Sequence, residues 1–302
     1  MKKLLVICGA TASGKTALAV ECAKRVNGEI ISCDALLVYR GLNVGTAKPT
    51  AEERRGIPHY LIDVADPRER FSVSDFERLA LPILEDILSR GKTPVLCGGT
   101  GFYMNALLFR SSFGNAAASE EIRTKYEKIA ELSGREYLHG LLREVDSETA
   151  EKLHPNDVKR VIRALEIFEL TGRKKSEQHD APIPRYPYSA FAFDYPREIL
   201  YDRIGRRIDG MFLHGLVSEV KGLLAAGIPE NAQCMQGIGY KEVVECLKNG
   251  DQESIMRDII ARNTRNYAKR QLTFFKKLPE LHFIEPKPIE KAAKEVVDIY
   301  ES

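Results

Sequence analysis

The sequence predicts an α/β fold, a P-loop-type parallel sheet flanked by helices and carrying an all-helical insertion. Three observations predict it. An apolar run, LLVICG (4–9), leads into GATASGKT (9–16) and then into a helical repeat, KTALAVECAKRV (15–26). Strand-like and helix-like stretches alternate through the N-terminal third, as a parallel sheet covered on both faces requires. From about residue 113 the alternation stops, and amphipathic helical stretches follow one another with no strand between them.

Each element follows from its residues. LLVICG is uninterrupted by polar side chains, as a strand buried on both faces would be. The helix after the glycine loop places Lys24 and Arg25 in its last turn, where the helix dipole favours cations. EIISCDALLVY (29–39) reads as a second strand with Asp34 at its exit, and TPVLCGGTGFYMNALL (93–108) as strand, glycine turn and helix. In such sheets ligands sit outside the carboxyl ends of the strands, so Asp34 and the Gly98–Gly101 turn share a rim with the glycine loop. SEEIRTKYEKIAELSG, REYLHGLLREVD and NDVKRVIRALEIFELTG form the helical insertion, and HDAPIPRYPY (179–188) reads as a linker. SAFAFDY (189–195) returns to the sheet, and helices run to near the end. The expected organisation is a catalytic core of 1–112 and 188–302 around an insertion of 113–187.

Composition narrows the function. A hydrophobic share of 44% and a charged share of 29% are those of a globular protein with an ample core. Net charge is only +2, so a polyanionic partner has to meet local basic faces. The six cysteines form no C-x-x-C pair and no cluster with histidine, which reads as buried free thiols in a reducing compartment. MKKLLVICGA opens like a signal peptide, but its apolar run is short and ends in the glycine loop, so it reads as a buried strand of a cytoplasmic protein. No stretch is long and apolar enough to span a membrane.

GATASGKT fits the phosphate-binding pattern G-x-x-x-x-G-K-[ST]. Its backbone N–H groups, from Gly9, Ala10, Thr11, Ala12, Ser13 and Gly14, would wrap a di- or triphosphate; Lys15 adds a point charge and Thr16 a hydroxyl for Mg²⁺. Nothing in the loop says that the phosphates belong to a nucleotide. Asp34 is either a turn-capping aspartate or a general base at the strand's carboxyl end. A kinase would need an apolar strand ending in a Mg²⁺-holding aspartate, yet PVLCGG ends in glycines and Asp63 has loop-like flanks. Two helices are basic, one with Lys159, Arg160 and Arg163, the other with Arg262, Arg265, Lys269 and Arg270. Each alone reads as a solvated face; together they suggest an RNA-backbone footprint, with Tyr267, Phe274 and Phe275 as core rather than as stacking platforms.

The motifs converge on one family. GATASGKT, CDALLVYRGLNVGTAKP, GGTGFYMNAL, HPNDVKRVIRALEIFELTG, REILYDRIGRRIDGM, GIGYKE and TRNYAKRQLTFF together resemble the bacterial tRNA dimethylallyltransferases over almost the whole chain. The resemblance implies that the loop cradles dimethylallyl diphosphate with Mg²⁺. The acceptor is N6 of adenine 37, next to the anticodon, in tRNAs reading codons that begin with U. It implies Asp34 as base, Thr16 as ligand to Mg²⁺, Thr100 as a tRNA-positioning group and Arg207 as a diphosphate-binding group. It further implies tRNA contacts from Asp34, Ala35, Leu36 and Leu37, from Arg123, from Lys159, Arg160, Val161, Ile162 and Arg163, and from the Gly237–Lys241 region with Gly239, Tyr240 and Lys241. Ala10, Ala35 and Phe274 stand where the family commonly has proline, serine and tryptophan. The expected partners are tRNA and dimethylallyl diphosphate, with no membrane, and the default state is a monomer. The rival readings are an ATP-dependent kinase and an RNA-binding nucleotide switch.

Overall fold

The computed structural model describes residues 3–110, 119–177 and 183–302. The chain begins with β1 (Leu4–Cys8), α1 (Lys15–Arg25), β2 (Gly28–Ser32), α2 (Ala51–Arg54), β3 (His59–Tyr60), α3 (Val73–Ser89), β4 (Thr93–Gly98) and α4 (Gly101–Leu108). It continues through β5 (Phe109–Arg110), α5 (Glu120–Ser133), α6 (Arg135–Val145), α7 (Ser147–Lys152), α8 (Val158–Thr171) and β6 (Ile183–Pro184). It closes with β7 (Tyr188–Phe193), α9 (Arg197–Leu213), α10 (Leu216–Ala225), α11 (Tyr240–Asn249), α12 (Glu253–Phe275), β8 (Leu281–Ile284) and α13 (Ile289–Glu301).

Two compact units emerge, one from Met1–Leu108 with Arg185–Ser302 and one from Phe109–Pro184. In the first, six strands form a sheet in the order β3-β2-β4-β1-β7-β8, with every pairing parallel. β1, β4 and β7 are buried along their whole length, which is why their sequences are uninterrupted apolar runs rather than alternating ones. Leu5 and Ile7 pack with Leu18 and Cys22 of α1 and with Ala292 and Val296 of α13 on one face. α3 and α4 pack together, and Phe76 stacks on Tyr103 with ring centroids 4.1 Å apart. All six cysteines are free and buried, as their apolar surroundings suggested.

Two expectations need correction. β2 ends at Ser32, so Asp34 stands beyond the strand, in the turn that follows it. β8 had no counterpart in the sequence reading: LHFI is a parallel edge strand, two of whose four residues are exposed, flanked by prolines. In the second unit α5, α6 and α8 pack around Leu138, Leu142, Val161 and Leu165. Its two ends are joined by a short antiparallel pair, β5 with β6, and the first residues of the expected linker, 179–182, lie outside the described residues. Among the described residues no helix is long and apolar enough to cross a membrane.

Candidate active site

The phosphate loop lies between the carboxyl end of β1 and the first turn of α1. Gly14 occupies the left-handed region at φ 86°, and this turns the chain so that α1 starts at Lys15. Lys15 Nζ donates to Ala10 O at 3.3 Å across the loop. Burial draws its ammonium below the ordinary lysine range; the Arg207 cation adds to the shift and Asp34 opposes it. The Ser13 hydroxyl is buried and has no hydrogen-bond partner among the described residues. An orphaned hydroxyl costs free energy unless something polar meets it, so the loop is built for an oxygen-rich ligand.

α9 supplies two guanidinium groups to this loop. Arg203 Nε donates to Ala12 O at 2.8 Å, and Arg207 Nη2 donates to Thr46 O at 2.9 Å. Burial pulls the Arg207 guanidinium below its ordinary range, opposed by Asp34. Neither arginine has a carboxylate within ion-pair distance among the described residues. The Thr46 loop is itself fixed from α10: Glu219 accepts from Asn43 N, Val44 N and Gly45 N at 2.8, 2.8 and 3.0 Å and from Tyr240 Oη at 2.7 Å.

Asp34 makes the turn-capping contacts expected of one of its two readings. Its Oδ1 accepts from Leu36 N at 2.9 Å and Leu37 N at 3.4 Å, the turn-capping role. Oδ2 has no hydrogen-bond partner among the described residues and remains available. The turn is held from the segment between β4 and α4 as well, since Ala35 N donates to Thr100 Oγ1 at 3.0 Å and Thr100 N donates to Cys33 O at 3.1 Å. Gly98 permits this approach: a Cβ there would lie 2.1 Å from Cys33 O.

Three adjoining cavities run past these groups. One of about 440 Å³ lies over Gly14, Lys15 and Thr16 with Arg203 and Arg207. A small one of about 70 Å³ is shared by Lys15, Thr16, Asp34, Arg207 and Tyr267. The third, about 360 Å³, has Asp34, Thr100, Arg207 and Tyr267 on its polar side and Leu36, Ile208 and Ile260 on its apolar side. Tyr267 stays a neutral phenol, its pKa pushed up to about 12 by burial and by the Asp34 charge. Asp63 has a positive φ of 59° and pairs with Lys48, so it does not serve the loop as a Mg²⁺-holding strand aspartate would.

Two family patterns match this chain, IPP transferase over residues 37–278 and isopentenyl transferase over residues 2–68. The chain belongs to the IPP transferase family. A tRNA dimethylallyltransferase of Acetivibrio thermocellus is 46% identical over 287 residues, covering 94% of this chain and 92% of the relative. One from Thermoanaerobacter sp. is 45% identical over 279 residues, covering 91% and 89%. Among solved structures, the tRNA isopentenylpyrophosphate transferase of Bacillus halodurans superposes with a TM-score of 0.73 at 41% identity, covering all of this chain and 95% of that one. A eukaryotic dimethylallyltransferase solved acting on tRNA gives a TM-score of 0.86 at 28% identity, covering 100% and 79%.

Of the expected site residues, Thr11, Ala12, Gly14, Lys15, Thr16, Asp34, Ala35, Leu36, Leu37, Thr100 and Arg207 line the three cavities, whereas Gly9, Ala10 and Ser13 do not. Other expected contact residues are placed differently. Val161 and Ile162 are core residues of the helical unit, so any contact made by the 159–163 stretch falls to Lys159, Arg160 and Arg163. Arg123 and Arg163 both hold the fully buried Glu166, Arg123 through Nε at 2.9 Å. Burial alone would raise the Glu166 carboxyl; hydrogen bonds from Arg163, Ser119 N and Arg123 outweigh it and keep it below its ordinary range. Tyr240 is buried against the Glu219 carboxylate, Gly239 N donates to Glu242 at 2.7 Å, and Lys241 is exposed. Residues that sequence reasoning missed are Arg203, Glu219, Tyr267 and Gln271. For Gln271 a signal existed: Thr264, Ala268 and Gln271 repeat at helical spacing on the buried face of α12, and two of the three are polar.

Proposed function

We infer that this protein transfers a dimethylallyl group from dimethylallyl diphosphate to N6 of adenine 37 in tRNAs that read codons beginning with U. The products are N6-isopentenyladenosine and diphosphate. The observation that carries the reading is the continuity of the site. An arginine-rimmed phosphate loop opens through a narrow space into a second, partly apolar cavity, and Asp34 and Arg207 stand on the wall between them.

The diphosphate occupies the loop, facing backbone N–H groups, Lys15, Arg203 and Arg207. The donor set fits Mg²⁺ that arrives with its substrate. Thr16 offers hydroxyl oxygen, and the described residues contain no carboxylate or histidine cluster to hold a metal alone. Thr16 would hold Mg²⁺, which would supply positive charge to offset the negative charge growing on the leaving group. The adenine N6 lone pair attacks the allylic C1 while the C1–O bond breaks, and negative charge grows on the departing oxygen. Lys15, Arg203 and Arg207 already face that charge, so they stabilise it without reorganising, an effect worth several kcal/mol. An exocyclic amine of adenine is a weak nucleophile, and its N–H acidifies only as its bond to carbon forms. Asp34 Oδ2 then takes that proton, while Oδ1 remains fixed by the Leu36 and Leu37 amides. The target base has to leave its stack, which costs least in a single-stranded loop such as the anticodon loop.

Lys159, Arg160, Arg163 and Arg123 of the helical unit, with Lys241, are read as contacts to the tRNA backbone. The protein is taken to act as a cytoplasmic monomer. The test is mass spectrometry of unmodified tRNA after incubation with protein, Mg²⁺ and dimethylallyl diphosphate. One dimethylallyl group gained on the adenine 3′ to the anticodon is the expected result; no gain on any tRNA overturns it.

A further inference from the structure

α4 begins beside Asp34, and its second residue faces solvent. Thr100 lines the partly apolar cavity, whereas Phe102 is 59% exposed although Tyr103, Met104 and Leu107 of the same helix are buried. An isolated exposed phenylalanine needs no explanation, but Phe102 is not isolated. Its ring meets Phe274 of α12 edge-to-face, with centroids 5.7 Å apart at 64°. Phe274 lies across the start of α4, so closely that a Cβ on Gly101 would be 2.2 Å from its ring. Phe275 behind it is buried and makes a second edge contact at 5.6 Å, which fixes the Phe274 ring from the core side.

One turn earlier on α12, Arg270 lines the partly apolar cavity and lies 5.7 Å from the Tyr267 ring centroid. Tyr267, Arg270 and Phe274 thus follow one another at helical spacing along α12, with Phe102 packed against the last of them. Arg270 on this helix, and Lys276 and Lys277 just past its end, make no ion pair among the described residues. A purely apolar protein segment would gain nothing from those cations. An unpaired nucleobase would use both, since its π-face stacks on aromatic rings and guanidinium planes while its phosphate meets the positive charge.

We propose that Phe102 and Phe274, with Arg270, form a stacking platform for the unpaired RNA base next to the acceptor adenine. The proposal rests on the RNA-modifying reading above and deepens it. The acceptor base enters the cavity beside Asp34, and the chain must turn sharply at its mouth, where its neighbour loses its own stacking partner. Phe102 replaces that partner. Base–aromatic stacking of this kind corresponds to about 5- to 100-fold in affinity when the ring is removed.

The test compares the unaltered protein with Phe102→Leu and Phe102→Trp on three stem-loop RNAs. One is intact, one is abasic at the nucleotide 5′ to the acceptor adenine, and one is abasic at the nucleotide 3′ to it. Dissociation constants are read by fluorescence anisotropy, and kcat/KM with dimethylallyl diphosphate. On the intact loop, Phe102→Leu is expected to lose about 5- to 100-fold and Phe102→Trp to retain binding, with the KM for dimethylallyl diphosphate unchanged in both. On one abasic RNA the loss caused by Phe102→Leu should shrink to within about twofold, because the base that the ring would stack is already gone. An equal loss on all three RNAs, or no loss on the intact loop, overturns the platform. Coupling in the dissociation constants without turnover by the unaltered protein would leave the platform standing and sink the reaction instead.

Discussion

Gln271 Oε1 accepts a hydrogen bond from Thr11 N at 2.8 Å, so α12 is tied directly to the backbone of the phosphate loop. The same amide donates through Nε2 to Gly99 O at 2.9 Å in the turn before α4. One buried side chain therefore fixes two glycine-rich segments whose own backbone has few internal constraints. Replacing it with leucine leaves a buried N–H and a buried carbonyl without partners, each costing about 1–3 kcal/mol. Gln271→Leu is expected to lower unfolding stability by about 2–6 kcal/mol and to raise the KM for dimethylallyl diphosphate more than the KM for tRNA. Urea unfolding and steady-state kinetics check both. An unchanged donor KM would show that the loop keeps its shape without this bridge.

At Asp34, holding the turn can be separated by mutation from the proposed proton transfer. Asparagine retains an Oδ1 that can accept from the Leu36 and Leu37 amides, but it has no carboxylate to take the N6 proton. Asp34→Asn is therefore expected to lower kcat by about 10²–10⁴-fold with tRNA affinity within about threefold of the unaltered protein. Asp34→Ala removes the cap as well and should add a loss of about 1 kcal/mol in stability. Single-turnover rates and filter binding test the pair. Comparable rates for Asn and Asp at position 34 would remove the general-base role.

Glu29, at the other end of the sheet from the site, carries a pH dependence. It is buried beneath Tyr60, Arg90 and Lys92, with Arg90 Nη1 and Nη2 donating at 2.7 and 2.6 Å. These hydrogen bonds, Arg90's first, outweigh desolvation and hold the carboxyl at about 2, below its usual range. The unfolded state therefore takes up protons first as pH falls. The stabilisation from Glu29 is complete above about pH 5 and is lost as pH drops through the folded value near 2. Its size is on the order of 2–3 kcal/mol. Glu29→Gln should be less stable than the unaltered protein at pH 7, and the gap should narrow between pH 5 and pH 3. A gap that stays constant with pH would mean that Glu29 contributes packing rather than charge.

What was legible in the sequence was whatever depends on local order along the chain. β1, the phosphate loop and α1 follow one another without a gap, and the glycine turn at 98–101 follows β4 in the same way. Asp34 could be placed at a rim because β2 and β4 are neighbours. β8 was not legible, since an edge strand with exposed residues lacks the apolar run that marks a buried one. Glu219 and Gln271 were illegible for a different reason. Each acts by reaching backbone groups more than a hundred residues away in sequence, and no spacing pattern records that. Val161 and Ile162 show the converse error, in which a contiguous motif was read as one surface although α8 turns those two residues into the core.

That division within α8 sets the last prediction. Lys159 and Arg160 are exposed, and the only ion pair Arg160 makes among the described residues is a long one to Asp157, at 3.7 Å. Each is free to neutralise a phosphate. Lys159→Ala and Arg160→Ala should weaken tRNA binding and lower the slope of log K against log salt by about one for each lost phosphate contact. Neither should change stability by more than about 0.5 kcal/mol. Ile162→Ala should do the opposite, costing about 2–4 kcal/mol through the cavity it leaves while the salt slope is unchanged. Titrations of tRNA at several salt concentrations, run beside thermal unfolding, separate the two effects. If Lys159→Ala and Arg160→Ala leave the slope where it was, this face of α8 does not meet the RNA, and the footprint falls to the remaining basic groups, Arg123, Lys241 and those of α12.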